Sequence, residues 1–376
     1  MKNRKNSNCF KVRTIDIFTL KIPFLRPHKI SLGTAEGRKV LIVRITADNG
    51  ISGIGEAIAH PAFSGEALET LKGGVRFLEQ YVLGQNPLNI NQINALMDKA
   101  IYGNFGAKCA IETALFDLAG KYLGVPVYDL LGGSIKDKLP LSRSASSSDL
   151  EKDISEVKGY LTEGYRIIKV KVGILNVQQD VERVKAIREM VGWDVSLRAD
   201  ANQGWDVPTA LKFIKGIEEC SLEFLEQPVA KADLDGLAYL RSKSPVPLMA
   251  DEAATTEQDI LKIIGKKAAD FVSIKLIKSG GIMRARRMAH LAETAGIRCY
   301  LGSQGETSVG TSASLHYALS VPGFDYGAEI YGPKFFLKDI VKSPVNIENG
   351  YIYPSQKPGF GVELDMDRVK EFSLKN

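Results

Sequence analysis

Apolar and polar positions along this chain keep two different rhythms, and the change comes near residue 136. Before it, residues 12–24 (VRTIDIFTLKIPF) alternate in the manner of a strand. A second run, 39–47 (KVLIVRITA), leads through Asp48-Asn49-Gly50 into 51–57 (ISGIGEA), and Asn-Gly between two apolar runs predicts a hairpin. Helical patterns follow near 65–83, 89–103 and 107–123, the last ending at Gly124 before Pro126.

After it, short apolar runs recur near 139–144, 166–172, 195–200, 222–226, 247–251, 271–276, 298–302 and 326–330. Helical patterns lie between them, for example 149–163, 177–191, 206–219, 255–266 and 282–295. Strand alternating with helix predicts parallel βαβ units, and eight of them close a barrel. The competing architecture is an open, doubly wound sheet, but no GxGxxG follows the first run and the units are too many. The tail from about 334 is rich in Pro and Gly, no longer alternates, and is expected to return to the first domain. The fold predicted is α/β: a (β/α)8-type, modified TIM barrel over 131–333, an N-terminal α+β capping domain over 1–130, and a C-terminal segment, 334–376, that completes the cap.

Three of the barrel runs end in an acid: Asp200 in VSLRAD, Glu226 in LEFLEQP and Asp251 in PLMADE. Lysines end runs on either side, Lys169 and Lys171 in RIIKVKVG and Lys275 in FVSIKL. In a barrel all of these converge on the C-terminal mouth. Side chains alternate across a strand, so Lys169 and Lys171 share one face, as do Asp200 and Asn202. Two solvated lysines on an edge strand are the plainer reading, but a central barrel strand has no solvated face. Each acid alone reads as a cap or loop charge. Together, three buried carboxylates repel unless a cation joins them, and oxygen-only ligands suit Mg²⁺, with Mn²⁺ as a substitute. Zinc would want His or Cys, and no HExxH or paired cysteines occur. Glu252, next to Asp251, is expected on the opposite face in a supporting role.

Composition narrows the class without changing it. The 376 residues are 44% apolar and 25% charged, with a formal net charge of +5 gathered largely in the leader MKNRKNSNCFKV. No basic stripe with interleaved aromatics marks a nucleic-acid partner. No apolar stretch approaches the roughly 20 residues of a membrane span, so no membrane partner is expected and a cytoplasmic location is the default. The scattered Cys9, Cys109, Cys220 and Cys299 read as free buried thiols.

The ordered series KVKVG, RADANQGW, EFLEQP, MADEA, SIKLIKSGG and AEIYGP resembles the enolase superfamily, in particular its muconate-lactonizing subgroup. PHKISLGT and GISGIGEA are similar to that family's capping domain. The resemblance implies that Asp200, Glu226 and Asp251 bind the metal. It also implies that Lys171 moves the proton α to a carboxylate, with Lys169 beside it and Lys275 facing it. A second ammonium and desolvation push a lysine base toward about 7 to 8. Glu329 in AEIYGP matches an acid read in the muconate enzymes as a proton donor. Glu306 in GSQGETSVGT reads as a site acid or as a cap on the next helix. His28 and His60 lie in the loops at about 24–34 and 57–66, which should choose the substrate.

The partner implied is a small carboxylate, met by an enzyme that relatives suggest is a homo-oligomer. AEIYGPKFFLKDI puts muconate cycloisomerase-type chemistry first, although SQGETSVG departs from the Met-Leu-Glu run expected there. A racemase or epimerase of an N-acyl amino acid, dipeptide or betaine is the alternative, and Lys171 and Lys275 supply its two bases. Ala328-Glu329-Ile330 replaces the Asp-x-Asp expected of the dipeptide branch. A dehydratase and a non-catalytic, metal-stabilised barrel are weaker readings.

Overall fold

The structure, a computed structural model, describes residues 10–30 and 33–374, with the backbone alone at 27–30. Three antiparallel strands open it: β1 (Val12–Ile30), β2 (Gly33–Ala47) and β3 (Ser52–Ala59). The β2–β3 turn is the hairpin that Asn-Gly predicts. Gly50 takes a left-handed φ of 84°, and the Asn49 side chain accepts the Ile51 amide at 3.0 Å. Against this sheet lies the helix Phe105–Leu123, buried on every side from Gly106 to Gly120. Two glycines of GISGIGEA let it come close. A Cβ on Gly53 would stand 2.1 Å from the Ala114 carbonyl, and one on Gly55 2.0 Å from that of Ala110.

The second rhythm folds as the alternation predicts. Helices at Leu150–Thr162, Val177–Val191, Val207–Gly216, Leu234–Lys243, Glu257–Lys266, Ile282–Thr294 and Ser308–Leu319 separate the parallel strands. Those strands are β5 (Ser142–Ala145), β6 (Ile167–Lys171), β7 (Ser196–Asp200), β8 (Leu225–Glu226), β9 (Leu248–Ala250), β10 (Phe271–Ile274) and β11 (Arg298–Leu301), hydrogen-bonded in chain order. The eighth run, 326–330, does not form a full strand. Gly327, its second residue, has φ of 74°, and the Tyr331 amide turns back onto the Glu329 carbonyl at 2.9 Å. Ala328 alone bridges both edges, pairing with Leu141 and Leu301, and so closes the cylinder. An open sheet would have left those edges apart.

The tail pairs with both bodies. Strands β12 (Asn346–Glu348) and β13 (Tyr351–Tyr353) add to β4 (Leu139–Pro140) at the start of the barrel, while Phe336 bridges Phe24 and Ser373 bridges Leu20 in β1. Cys109, Cys220 and Cys299 are free and buried; Cys9 lies outside the described residues. No helix among the described residues is long and apolar enough to cross a membrane.

One buried base makes the fold acid-sensitive. His316 stacks on Tyr128 at 5.0 Å between centroids, and its Nδ1 accepts the Tyr128 amide at 3.2 Å. Burial pushes its pKa down to about 3. The unfolded chain, near 6.5, therefore takes the proton first: stability is present above about pH 6.5 and is lost as pH falls toward 3. One proton corresponds to about 1.4 kcal/mol per pH unit. His316→Asn keeps an acceptor for Tyr128 and cannot be protonated. In chemical denaturation at stepped pH, its stability should fall about one proton less steeply than the wild type's between pH 6 and 4. Equal slopes would count against the assignment.

Candidate active site

The barrel register gathers the acids and amines at its C-terminal rim. Lys171 ends β6 opposite Asp200 at the end of β7, and Asp200 pairs in turn with Glu226 at the end of β8. Asp251 and Lys275 follow directly on β9 and β10. Period-two alternation turns Lys169 and Lys171 inward together, and likewise Arg198 and Asp200. Arg198 lies deeper, 4.8 Å from the Phe224 ring and 5.0 Å from that of Tyr300, with Glu223 on its Nε at 2.6 Å. The rim is thus built on a filled aromatic layer.

Four ammonium groups meet four carboxylates there. Lys169 Nζ donates to Glu226 Oε2 at 2.8 Å and Glu329 Oε2 at 2.5 Å, and stands 3.5 Å from Asp200 Oδ2. Lys171 Nζ donates to Asp200 Oδ2 at 2.5 Å and Asn202 Oδ1 at 3.1 Å. Lys275 Nζ reaches Asp251 Oδ2 at 2.5 Å, and Lys278 Nζ reaches Asp251 Oδ1 at 2.8 Å. Phe63 covers Lys275, its ring centre 4.4 Å from the ammonium.

Titration follows from this crowding. Burial, then the charge of Asp200, pushes Glu226 up to about 8. Burial also works against the charge on Asp251, yet Lys275 and Lys278 hold its carboxyl well below the ordinary range. Glu329 is likewise buried, but Lys169 and then Lys171 bring it down to about 2. It accepts from Lys169 and from Ser144 Oγ at 3.0 Å. Lys169 opposes its own desolvation through Glu226, Glu329 and Asp200 and is raised well above a free lysine.

The residues fit a divalent cation by their chemistry. Asp200, Glu226 and Asp251 are all but inaccessible to solvent, offer only oxygen, and act on one another electrostatically. Glu226 Oε1 is buried and meets no donor among the described residues. Those residues contain no cluster of three or more acids, histidines or cysteines already closed into a coordination sphere; the carboxylates are turned onto the lysines instead. Backbone strain marks the same rim. Asn202, Gln203 and Gln227 follow the first two acids with left-handed φ of 40°, 67° and 34°.

Other expected residues separate. Asn202 lines the cavity and joins Lys171 to Glu252, which is buried and accepts the Asn202 amide at 3.2 Å. His60 lines it too, and burial, then Arg38 and Lys275, push its pKa down to about 4. Glu306 is buried but does not line it; its carboxylate accepts from Ser303 and from the Gln304 amide, capping its own loop. The side chain of His28 lies outside the described residues. Sequence reading gave no role to Lys278, although it stands three residues after Lys275 on the single helical turn Leu276–Ser279. Nor did it give one to Gln227, whose Oε1 accepts the amides of Asp251 and Ala253 at 3.0 and 3.2 Å. A wider cavity of about 710 Å³ adjoins, sharing Tyr331 and Phe335 with the one lined by Lys171 and Lys275.

Residues 13–132 match the model of the mandelate racemase / muconate lactonizing enzyme N-terminal domain, and residues 152–368 that of the enolase C-terminal domain-like family. The chain belongs to this family. It is an isomerase of the enolase superfamily, whose sites pair a Lys or His base with Mg²⁺. It is 38% identical to the N-succinyl-L-Arg/Lys racemase of Bacillus cereus, over 97% of this chain and 98% of that one. It is 34% identical to muconate cycloisomerase 1 of Acinetobacter baylyi, over 96% and 98%. Among solved structures, muconate lactonizing enzyme from Pseudomonas fluorescens complexed with muconolactone matches with a TM-score of 0.95 at 33% identity, covering 97% of this chain and all of that one. The Bacillus cereus racemase structure matches at 0.94, covering 97% and 98%.

Proposed function

We propose that the enzyme moves the proton on the carbon α to a substrate carboxylate, and that racemisation or epimerisation of an amino-acid derivative such as an N-acyl amino acid is the reaction its geometry supports best. The supporting observation is the pair of amines. Lys171 and Lys275 line one cavity but are anchored apart, Lys171 by Asp200 and Lys275 by Asp251. A planar carbon between them loses its proton to one nitrogen and gains a proton from the other, which inverts it. The neutral amine becomes the ammonium as the opposite ammonium becomes the amine, so charge balances.

Asp200, Glu226 and Asp251 would hold the cation, Mg²⁺ or Mn²⁺ in its place, whose charge offsets the negative charge that builds on the substrate carboxylate when the proton leaves. Lys169, kept charged by Glu226 and Glu329, faces the same carboxylate. Asp200 and Asp251, which pair with Lys171 and Lys275, are also two of the three acids that would hold the cation, so the metal and the two amines share the same carboxylates. The substrate is chosen by the cap, residues 1–130, through His60, Phe63 and Arg38.

Interconversion of an unsaturated dicarboxylate and its lactone is the second reading, favoured by Glu329 standing at the cavity beside Lys169. There only one of the two amines need change protonation. Incubation with Mg²⁺ in D₂O and a panel of single-enantiomer N-acyl amino acids, muconate and its lactone, followed by NMR, tests both. Exchange with inversion is the expected result. Lactone formation without inversion moves the assignment to the second reading, and no exchange with any member defeats both.

A further inference from the structure

Arg38 stands at the mouth of the catalytic cavity with no acid to hold it. It comes from β2, opposite Ile22 of β1, and its guanidinium carbon lies 5.4 Å from the Phe24 ring centre. Its Nε is buried and, among the described residues, meets no acceptor and forms no ion pair. Beneath it is bare backbone: a Cβ on Gly305 would come within 3.4 Å of that Nε. Glu306 is the acid that acts on it from a distance, and that carboxylate is engaged by Ser303 and the Gln304 amide. Gln304 lines the same cavity with its side-chain oxygen and nitrogen both buried and both unpartnered. Buried donors normally find acceptors, and an unpaired cation beside an unused amide is costly unless something else completes it. His60, held neutral, does not compete for an anion there.

We propose that Arg38, with the Gln304 amide, binds a second, non-reacting carboxylate of the substrate, so that the enzyme selects dianionic over monoanionic carboxylates. The inference rests on the proton-transfer reading for the place of the first carboxylate. Arg38 offers Nε–H and an Nη–H as a fork that matches a carboxylate, and the amide adds a third donor. An amino acid acylated by a dicarboxylic acid and a linear dicarboxylate both carry such a group.

Two probe pairs isolate it, each differing in one carboxylate: N-succinylglycine against its terminal amide, and hexanedioate against its monoamide. Calorimetry is run on the Mg²⁺-loaded wild type, Arg38→Met and Arg38→Lys. The wild type should prefer the dianion of at least one pair by about tenfold or more. Arg38→Met should bring that preference within about twofold by weakening the dianion alone, with Mg²⁺ affinity unchanged as the check on folding. Arg38→Lys should keep part of it, because charge remains where the fork is lost. A wild type without preference, a wild type that binds none of the probes, or an Arg38→Met variant that keeps the preference overturns the proposal. Should Arg38→Met fail to fold, Arg38→Lys with the full wild-type preference overturns it as well. An Arg38-dependent preference without any exchange in D₂O would overturn the proton-transfer reading and leave the anion site standing.

Discussion

Lys171→Ala is expected to lower turnover by about a thousandfold or more while leaving Mg²⁺ affinity within about twofold. The two readouts part because Lys171 Nζ touches Asp200 Oδ2 and Asn202 but supplies no oxygen to a cation. Removing the ammonium takes one competitor from Asp200, so metal binding has no reason to weaken. The stereochemical course adds a sharper signature. In a two-sided transfer each amine serves one enantiomer, so Lys171→Ala should lose α-proton exchange with one and Lys275→Ala with its mirror image, and neither variant should racemise. NMR in D₂O with separated enantiomers reads this directly. A Lys171→Ala enzyme that exchanges both enantiomers at the wild-type rate would remove this lysine from the mechanism. A Lys275→Ala enzyme that still racemises would remove Lys275 as the second base and overturn the two-sided transfer.

The sequence carried the parts of this site that periodicity controls. Lys169, Lys171, Asp200 and Glu226 fall on strands whose alternation decides which side chains face inward, so three short motifs placed them before any contact was known. The same rule located seven barrel strands. It misled at the eighth, because the positive φ of Gly327 and the turn at Tyr331 are backbone events that leave the apolar run AEI looking like an ordinary strand. Residues on loops were read less well. Glu252, next to Asp251, has the supporting contact expected of it, accepting the Asn202 amide, but the chain has left β9 there, so strand alternation does not decide which way it faces. Lys278 and Gln227 act on Asp251 through one helical turn and one strained residue, and neither geometry has a period to detect. Arg38 was invisible for another reason. In GRKVLIV it is one of two adjacent cations on a strand, and only the approach of Gly305 and Gln304 from the barrel shows which one turns inward.

Glu226→Gln should weaken Mg²⁺ binding by about a hundredfold or more, near 3 kcal/mol, and should do so without unfolding the protein. The reason lies in the state of that carboxyl without a cation. Burial and the neighbouring charge of Asp200 already drive Glu226 toward its neutral form, at about 8, so a neutral amide of the same shape relieves repulsion that the native site tolerates. Lys169 keeps Glu329 and Asp200 as partners. The variant should therefore melt near the wild-type temperature in the presence of a chelator. Added Mg²⁺ should then separate the two proteins. A ligand that binds only the folded state raises stability in proportion to the logarithm of its concentration over Kd, so the wild type gains and the variant gains much less at the same concentration. Calorimetric titration gives the affinity, and thermal unfolding with and without Mg²⁺ gives the stabilisation. A variant that binds Mg²⁺ as tightly as the wild type, or that gains as much in melting temperature, would take Glu226 out of the metal site, and with it the argument that three neighbouring strand ends share one cation.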